Sequence, residues 1–238
     1  MITYQVIEIE ETKHTQVNKE ALMDIYEALY TTRAMRRLKP DPIPYDVQAR
    51  ILDAAIRAPN IGEMWRFILV DDPKIKSRLS PLYRQGMERM VGAPLEVFVD
   101  MMKDDPEMAR TLRSGIHLVD HFAEVPLLLI GFGRTRDGSG IYPAMWSAML
   151  AARAEGIGST LTGFLQSYFA DEVMDILSVP KDMNGEARTW YMHGCITMGY
   201  PTGKWGVGAR KPVHEVAARN SWEGDLGFTV PEPLWPGR

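Results

Sequence analysis

The chain has one cysteine, Cys195, in 238 residues. That excludes an internal disulfide and any zinc or iron–sulfur centre built from cysteines, and it allows a reducing compartment. Positive charge is not in excess either. The formal net charge is −4 and the pI is near 5.8, which argues against a broad basic face for nucleic acid. The longest apolar run, Val125–Phe132, is far short of the roughly 20 residues that cross a bilayer. Met1–His14 is acidic and does not read as a secretory signal. The expectation is a cytoplasmic protein with no nucleic-acid or membrane partner. Walker A sequences, glycine-flanked serine elbows and internal repeats are also missing. What remains is an ordinary globular composition, with 45% hydrophobic and 24% charged residues. No linker divides the chain, so it reads as one domain with tails.

Patterning predicts the elements. Asn18 can cap a helix carrying Ala21, Leu22, Ile25 and Leu29. Pro40, Pro42 and Pro44 enforce an extended connection. A second helix places Val47, Ile51, Leu52, Ala55 and Ile56 on one face and ends before Pro59. Trp65–Val70 and Val125–Phe132 read as buried strands, and Thr189–Tyr200 as a third. Short helices are predicted at Pro73–Leu79 and Asp171–Leu177, and longer ones at Glu107–Phe122 and Tyr142–Glu155. The methionine-rich stretch Pro81–Pro106 lacks clear periodicity. Helices alternating with widely spaced strands indicate a layered α/β or α+β domain.

Several residues could carry chemistry. Arg33, Arg36, Arg37 and Lys39 form one basic cluster, and Arg210 with Lys211 another. They either converge on a phosphate or form a solvated face. Gly156-Ile157-Gly158 follows a helix, and Gly131-Phe132-Gly133 opens none, so neither is a dinucleotide fingerprint. His117 and His121 share a helix face but lack the Glu of a zinc-protease motif, which favours a structural role. His193 and Cys195 alternate on a strand and suit the core. No metal site is expected, and no acid or base residue stands out.

Four motifs, in order, resemble the FMN-dependent nitroreductase family. Thr32-Arg33-Ala34-Met35-Arg36-Arg37-Leu38 is similar to its early Arg-Arg-Ser-Val-Arg segment. Ala54–Pro59 followed by Trp65-Arg66-Phe67 resembles its helix end and tryptophan strand. Ile141–Ala144, Leu150–Gly158 and Thr162-Gly163 resemble its central helix and flavin-side loop. Gly199-Tyr200-Pro201 and Arg210–Val213 resemble its closing signature. The chain departs from the family in three places: the segment before Trp65 is two residues shorter, Ala34 stands where Ser is common, and Ser147 where Asn is common.

The resemblance implies an α+β three-layer fold, with a mostly antiparallel sheet flanked by helices, in an intertwined homodimer. It implies an N-terminal extension at 1–17, an FMN-binding domain at 18–212, and an arm at 213–238 packing on the partner. The FMN contacts it implies are Thr32, Arg33, Ala34, Met35, Arg36, Asn60, Leu161, Thr162, Gly163, Arg210 and Lys211. Arg33, Arg36 and Arg210 would meet the phosphate, the loop Thr160–Gly163 would lie against the ring, and Asn60, ahead of Glu63, would meet the pyrimidine edge. The implied activity is ping-pong hydride transfer from NADPH or NADH, through FMN, to a nitroaromatic or similar small aromatic. Alternatives are a reductive dehalogenase or flavin-modifying member of the family, or a flavin-binding module without turnover.

Overall fold

A computed structural model describes residues 23–60, 62, 64–101, 104, 106–180, 182–183, 186–187 and 190–235. The N-terminal extension, the Asn18 cap, Ala21, Leu22, Glu63 and Thr189 lie outside them. The first helix, α1 (Ile25–Thr31), is capped by Asp24, whose carboxylate accepts from the backbone N–H groups of Tyr26 and Glu27. The proline-rich connection is extended and leads to α2 (Tyr45–Ala55).

Strand β1 (Trp65–Val70) forms as its branched and aromatic residues predict. Helix α3 (Pro73–Val91) runs twelve residues past the predicted stop, straight through Pro81. An interior proline costs a helix about 3 kcal/mol. Here Leu79, Tyr83, Gly86 and Met87 form a buried stripe that outweighs it. Gly86 is needed in that stripe, because a Cβ there would come within 2.9 Å of Phe164 Cβ. Gly92, at φ 73°, ends the helix. Helices α4 (Leu95–Met101) and α5 (Pro106–Asp120) follow, then β2 (Leu127–Gly133), buried throughout. Helix α6 spans Tyr142–Ala154.

Strand β3 (Gly158–Thr162) corrects an expectation, since these residues were predicted as helix end and loop. Gly156, at φ 74°, reverses the chain, and Gly158–Thr162 then pairs with β6 (Tyr191–Gly199). Small polar residues give no strand signal; the ladder comes from the neighbour. Helix α7 (Phe164–Ile176) starts seven residues earlier than predicted and kinks at Phe169, and a hairpin of β4 (Asp182–Met183) and β5 (Glu186–Ala187) precedes β6.

The four long strands form one antiparallel sheet in the order β1-β2-β6-β3. One face packs on α3, α5 and α7 through Leu79, Tyr83, Phe122, Leu165 and Val173. The other packs on α2 and α6 through Ile51, Ala55, Met145, Ala148 and Ala152. This is the expected three-layer α+β arrangement. Among the described residues no helix is long and apolar enough to cross a membrane, and no group of three metal-ligating side chains occurs. In the arm, Trp235 packs on Tyr30 of its own chain at 5.8 Å, while Trp222 is 94% exposed.

Candidate functional site

The residues after α1 cannot continue a helix into Pro40, so they run extended beside β3. The Met35 N–H donates to the Ser159 carbonyl at 3.0 Å, and Ala34 bridges Ser159 in the parallel sense. Further along, the Lys39 N–H donates to the Tyr200 carbonyl at 2.8 Å and the Thr202 N–H to the Arg37 carbonyl at 3.0 Å. Close approach depends on Gly158, where a Cβ would stand 2.9 Å from Met35 Cβ and 3.1 Å from Pro201 Cβ. Three of the four sequence motifs therefore meet at one sheet edge. Arg33 reaches across them and donates to the Lys204 carbonyl at 2.9 Å.

This edge carries unsatisfied polar atoms. The hydroxyls of Thr32 and Thr160 are buried and have no hydrogen-bond partner, while the buried hydroxyl of Thr162 neighbours that of Tyr83. Buried hydroxyls are nearly always paired, so two unpaired ones side by side mark a place where another group belongs. Thr160 and Thr162 alternate with Ser159 and Leu161, so they share one face of β3. Leu161 lies on the opposite face, over Gly194, and is 40% exposed. Gly163 then caps α7 and leaves its own backbone open to close approach. Tyr83 and Cys195 lie beneath, in the core, where burial pushes the phenol and the thiol each up to about 12.

The other expected contacts lie elsewhere. Arg36 is half-buried and lines a separate cavity with Arg37 and His117. Arg210 is exposed and donates to its neighbouring Ala209 carbonyl at 2.7 Å; Lys211 beside it is also exposed. The Asn60 amide is anchored within its own chain. Its N–H donates to the Gly140 carbonyl at 2.7 Å and its oxygen accepts from the Met64 N–H at 2.8 Å. Asn60 also precedes β1, at the sheet edge opposite β3, roughly 14 Å away across three strand spacings.

Sequence reasoning missed Arg153. It is a buried cation at the end of α6, donating to Thr31 Oγ1 at 2.9 Å and to Glu27 at 3.2 Å. Its guanidinium covers the Trp205 ring at 4.2 Å. Burial lowers its pKa, opposed by Glu27. Arg153 thereby ties α1, α6 and the chain after β6 into the frame that holds residues 32–36. The available signal was an arginine inside an otherwise apolar helix motif.

Residues 29–200 match the model of the nitroreductase family. The chain belongs to that family. The match starts within α1 and ends just after β6, so it includes the β3 edge and excludes Arg210, Lys211 and the arm. A nitroreductase with bound FMN from Desulfitobacterium hafniense DCB-2 superposes with a TM-score of 0.57 at 16% identity, over 79% of this chain and 95% of that one. Oxidized iodotyrosine deiodinase, bound to FMN and 3-iodo-L-tyrosine, superposes with a TM-score of 0.63 at 19% identity, over 84% of this chain and all of that one. At these identities the likeness is one of fold. A curated NADH dehydrogenase of Thermus thermophilus is 37% identical over 60 residues, 24% of this chain. The stretch covers 29% of that relative's length.

Proposed function

We propose that this nitroreductase-family chain is an FMN-dependent oxidoreductase that uses NADPH or NADH to reduce nitroaromatic or similar electron-poor aromatic compounds. The observation that carries the reading is the pair of unpartnered buried hydroxyls, Thr32 and Thr160, beside Arg33. These groups suit FMN. A hydroxyl can donate to or accept from the cofactor's polar atoms, and a guanidinium fork suits its phosphate. FMN would supply the two-electron redox chemistry. The chain would bind and orient it, with Arg33 and Thr32 at the phosphate end, Thr160, Leu161, Thr162 and Gly163 along the ring, and Ala34 and Met35 as the backbone between. Arg210 and Lys211 would reach the phosphate by a swing of the irregular segment after Lys204.

A homodimer completes the site. Asn60 cannot meet β3 of its own chain across the sheet, whereas a second copy could present it. Exposed Trp146, Leu161, Trp222 and Leu234 supply apolar surface for such an interface. The end of α3 lies beside the site, since Gly86 packs on Phe164. It exposes Met90, and α4 exposes Val97 and Met101, which favours a flat apolar aromatic over a zwitterionic amino acid. Mixing the FMN-loaded protein anaerobically with NADPH or NADH should bleach the flavin, and a nitroarene should restore it. Bleaching without recovery by any nitroarene would defeat the substrate class, and no bleaching with either donor would defeat the oxidoreductase.

A further inference from the structure

His193 is the extra residue of a bulge. Gly194 of β6 pairs with Gly131 of β2, and Met192 pairs with Phe132, which leaves His193 between them without a partner. A bulge re-aims a side chain. Here it turns the imidazole against the loop 134–140, which joins β2 to α6. The ring is 2% exposed. A Cβ on Gly133 would stand 3.1 Å from its Nε2, and one on Gly138 2.9 Å from its Nδ1, so glycine is needed on both sides.

The slot suits a neutral ring. His193 donates to the Thr135 backbone carbonyl, while Nε2 is buried with no partner. A neutral imidazole leaves a lone pair at Nε2; a protonated one puts a charged N–H there, facing no acceptor. The groups around the ring do not supply one. Tyr142 of α6 meets it edge-on at 5.9 Å and donates its own hydroxyl to the His193 carbonyl at 2.8 Å. Arg134 and Arg136 of the loop lie over the Trp190 and Tyr191 rings, and β2 presents Gly133. Cys195 of the same strand belongs to the core on the far face. Asp137 is the carboxylate whose charge reaches the ring. It is exposed and accepts from the Ser139 N–H at 3.0 Å and from the Thr135 and Ser139 hydroxyls at 2.8 and 3.0 Å, which holds it below the usual carboxylate range and so charged.

The loop is also one wall of a cavity of about 360 Å³, whose other wall carries Pro59, Asn60 and Met64. Two bonds tie the walls together. Asn60 donates to the Gly140 carbonyl at 2.7 Å, and the Arg134 N–H donates to the Met64 carbonyl at 3.3 Å. We propose that His193 is a proton-operated latch on this cavity: neutral, it locks the 134–140 loop shut; protonated, it leaves its slot towards Asp137 and the loop opens. Burial holds the ring below its ordinary 6.5 while the loop is shut, against Thr135 and Asp137. An open loop returns it to water and to that ordinary value. The open state takes up the proton more readily, so closure is complete above about pH 6.5 and is lost as pH falls below it. The latch uses no residue assigned to the flavin except the anchor of Asn60, and it does not depend on the flavin reading.

Amide hydrogen exchange of the full chain with FMN in excess, followed by NMR at pH 7.5 and 5.5, tests the latch. The reporters are the amides of Met64, Arg134, Ser139 and Ile141, which are bonded in the closed loop. Corrected for the intrinsic effect of pH on exchange, their opening should rise about tenfold at pH 5.5, while β2 stays protected. His193→Gln keeps a donor for the Thr135 carbonyl and cannot charge, so its opening should change less than about twofold. The ring resonances of His193 in the unaltered chain give a second readout, with a midpoint below 6.5 that coincides with the exchange change. The proposal is overturned by equal opening at the two pH values, by a tenfold response that survives in His193→Gln, or by a ring that titrates at 6.5 or above while the loop amides stay unchanged.

Discussion

Replacing Arg153 with alanine removes a cation that three separate segments share. The Arg153 side chain is 7% exposed and its partner Glu27 26% exposed, 3.2 Å apart. Breaking a buried ion pair costs about 3–5 kcal/mol, because the surviving charge is left unpaired. Glu27 is a quarter exposed, so water recovers part of that. Losing the stacking on Trp205 adds about 1 kcal/mol. The expected destabilisation is about 3 kcal/mol, a fall in melting temperature of roughly 6–12 °C for a domain of this size. Urea denaturation of Arg153→Ala, Glu27→Gln and the double variant forms the assay. The double variant should recover at least about 1 kcal/mol relative to additivity. Because Arg153 braces Thr31, at the start of the Thr32–Arg36 edge, flavin retention should fall with stability. A loss below about 1 kcal/mol, or strict additivity, would refute the bracing role.

Three further outcomes follow from the same geometry. Thr160→Val should leave apoprotein stability unchanged or slightly higher, since the hydroxyl has no partner, yet weaken FMN binding about five- to tenfold; equal FMN affinity by fluorescence quenching would clear Thr160 of any cofactor contact. Gly158→Ala should destabilise by about 1–3 kcal/mol through the collision with Met35 and Pro201, read as a lowered urea midpoint. Stability should decline in alkali. Cys195 and Tyr83 are pushed up to about 12 from ordinary values of 9.0 and 10.0, so their contribution is complete below pH 9 and is lost as pH climbs towards 12. Lys76, lowered by burial, works in the opposite sense below 10.5. The Cys195→Ala, Tyr83→Phe pair should remove most of the decline, amounting to roughly 4 kcal/mol by about pH 11; an unchanged alkaline profile would contradict it.

Elements whose signal is intrinsic were legible in the sequence. Trp65–Val70 and Val125–Phe132 are branched, aromatic runs bounded by breakers, and both are strands within a few residues. Elements made by their neighbours were not. Residues 158–162 are small and polar, and become a strand because β6 pairs with them. Helix α3 continues through Pro81 because its buried face packs on Phe164 and Phe122. For the site, the early arginine motif and the Thr162-Gly163 loop were readable, and they lie along one edge. Asn60 was placed by local sequence, whereas its position depends on strand order, which no local pattern encodes. The unpaired state of the Thr160 hydroxyl and the burial of the Arg153 guanidinium appear only in the fold.

The central claim is that the β3 edge holds FMN. An absorption spectrum of the purified chain, before and after added FMN and gel filtration, tests it most directly. The account predicts flavin bands that persist through filtration in the wild type and diminish sharply in Arg33→Ala. A chain that shows no flavin absorbance and retains no added FMN would contradict it.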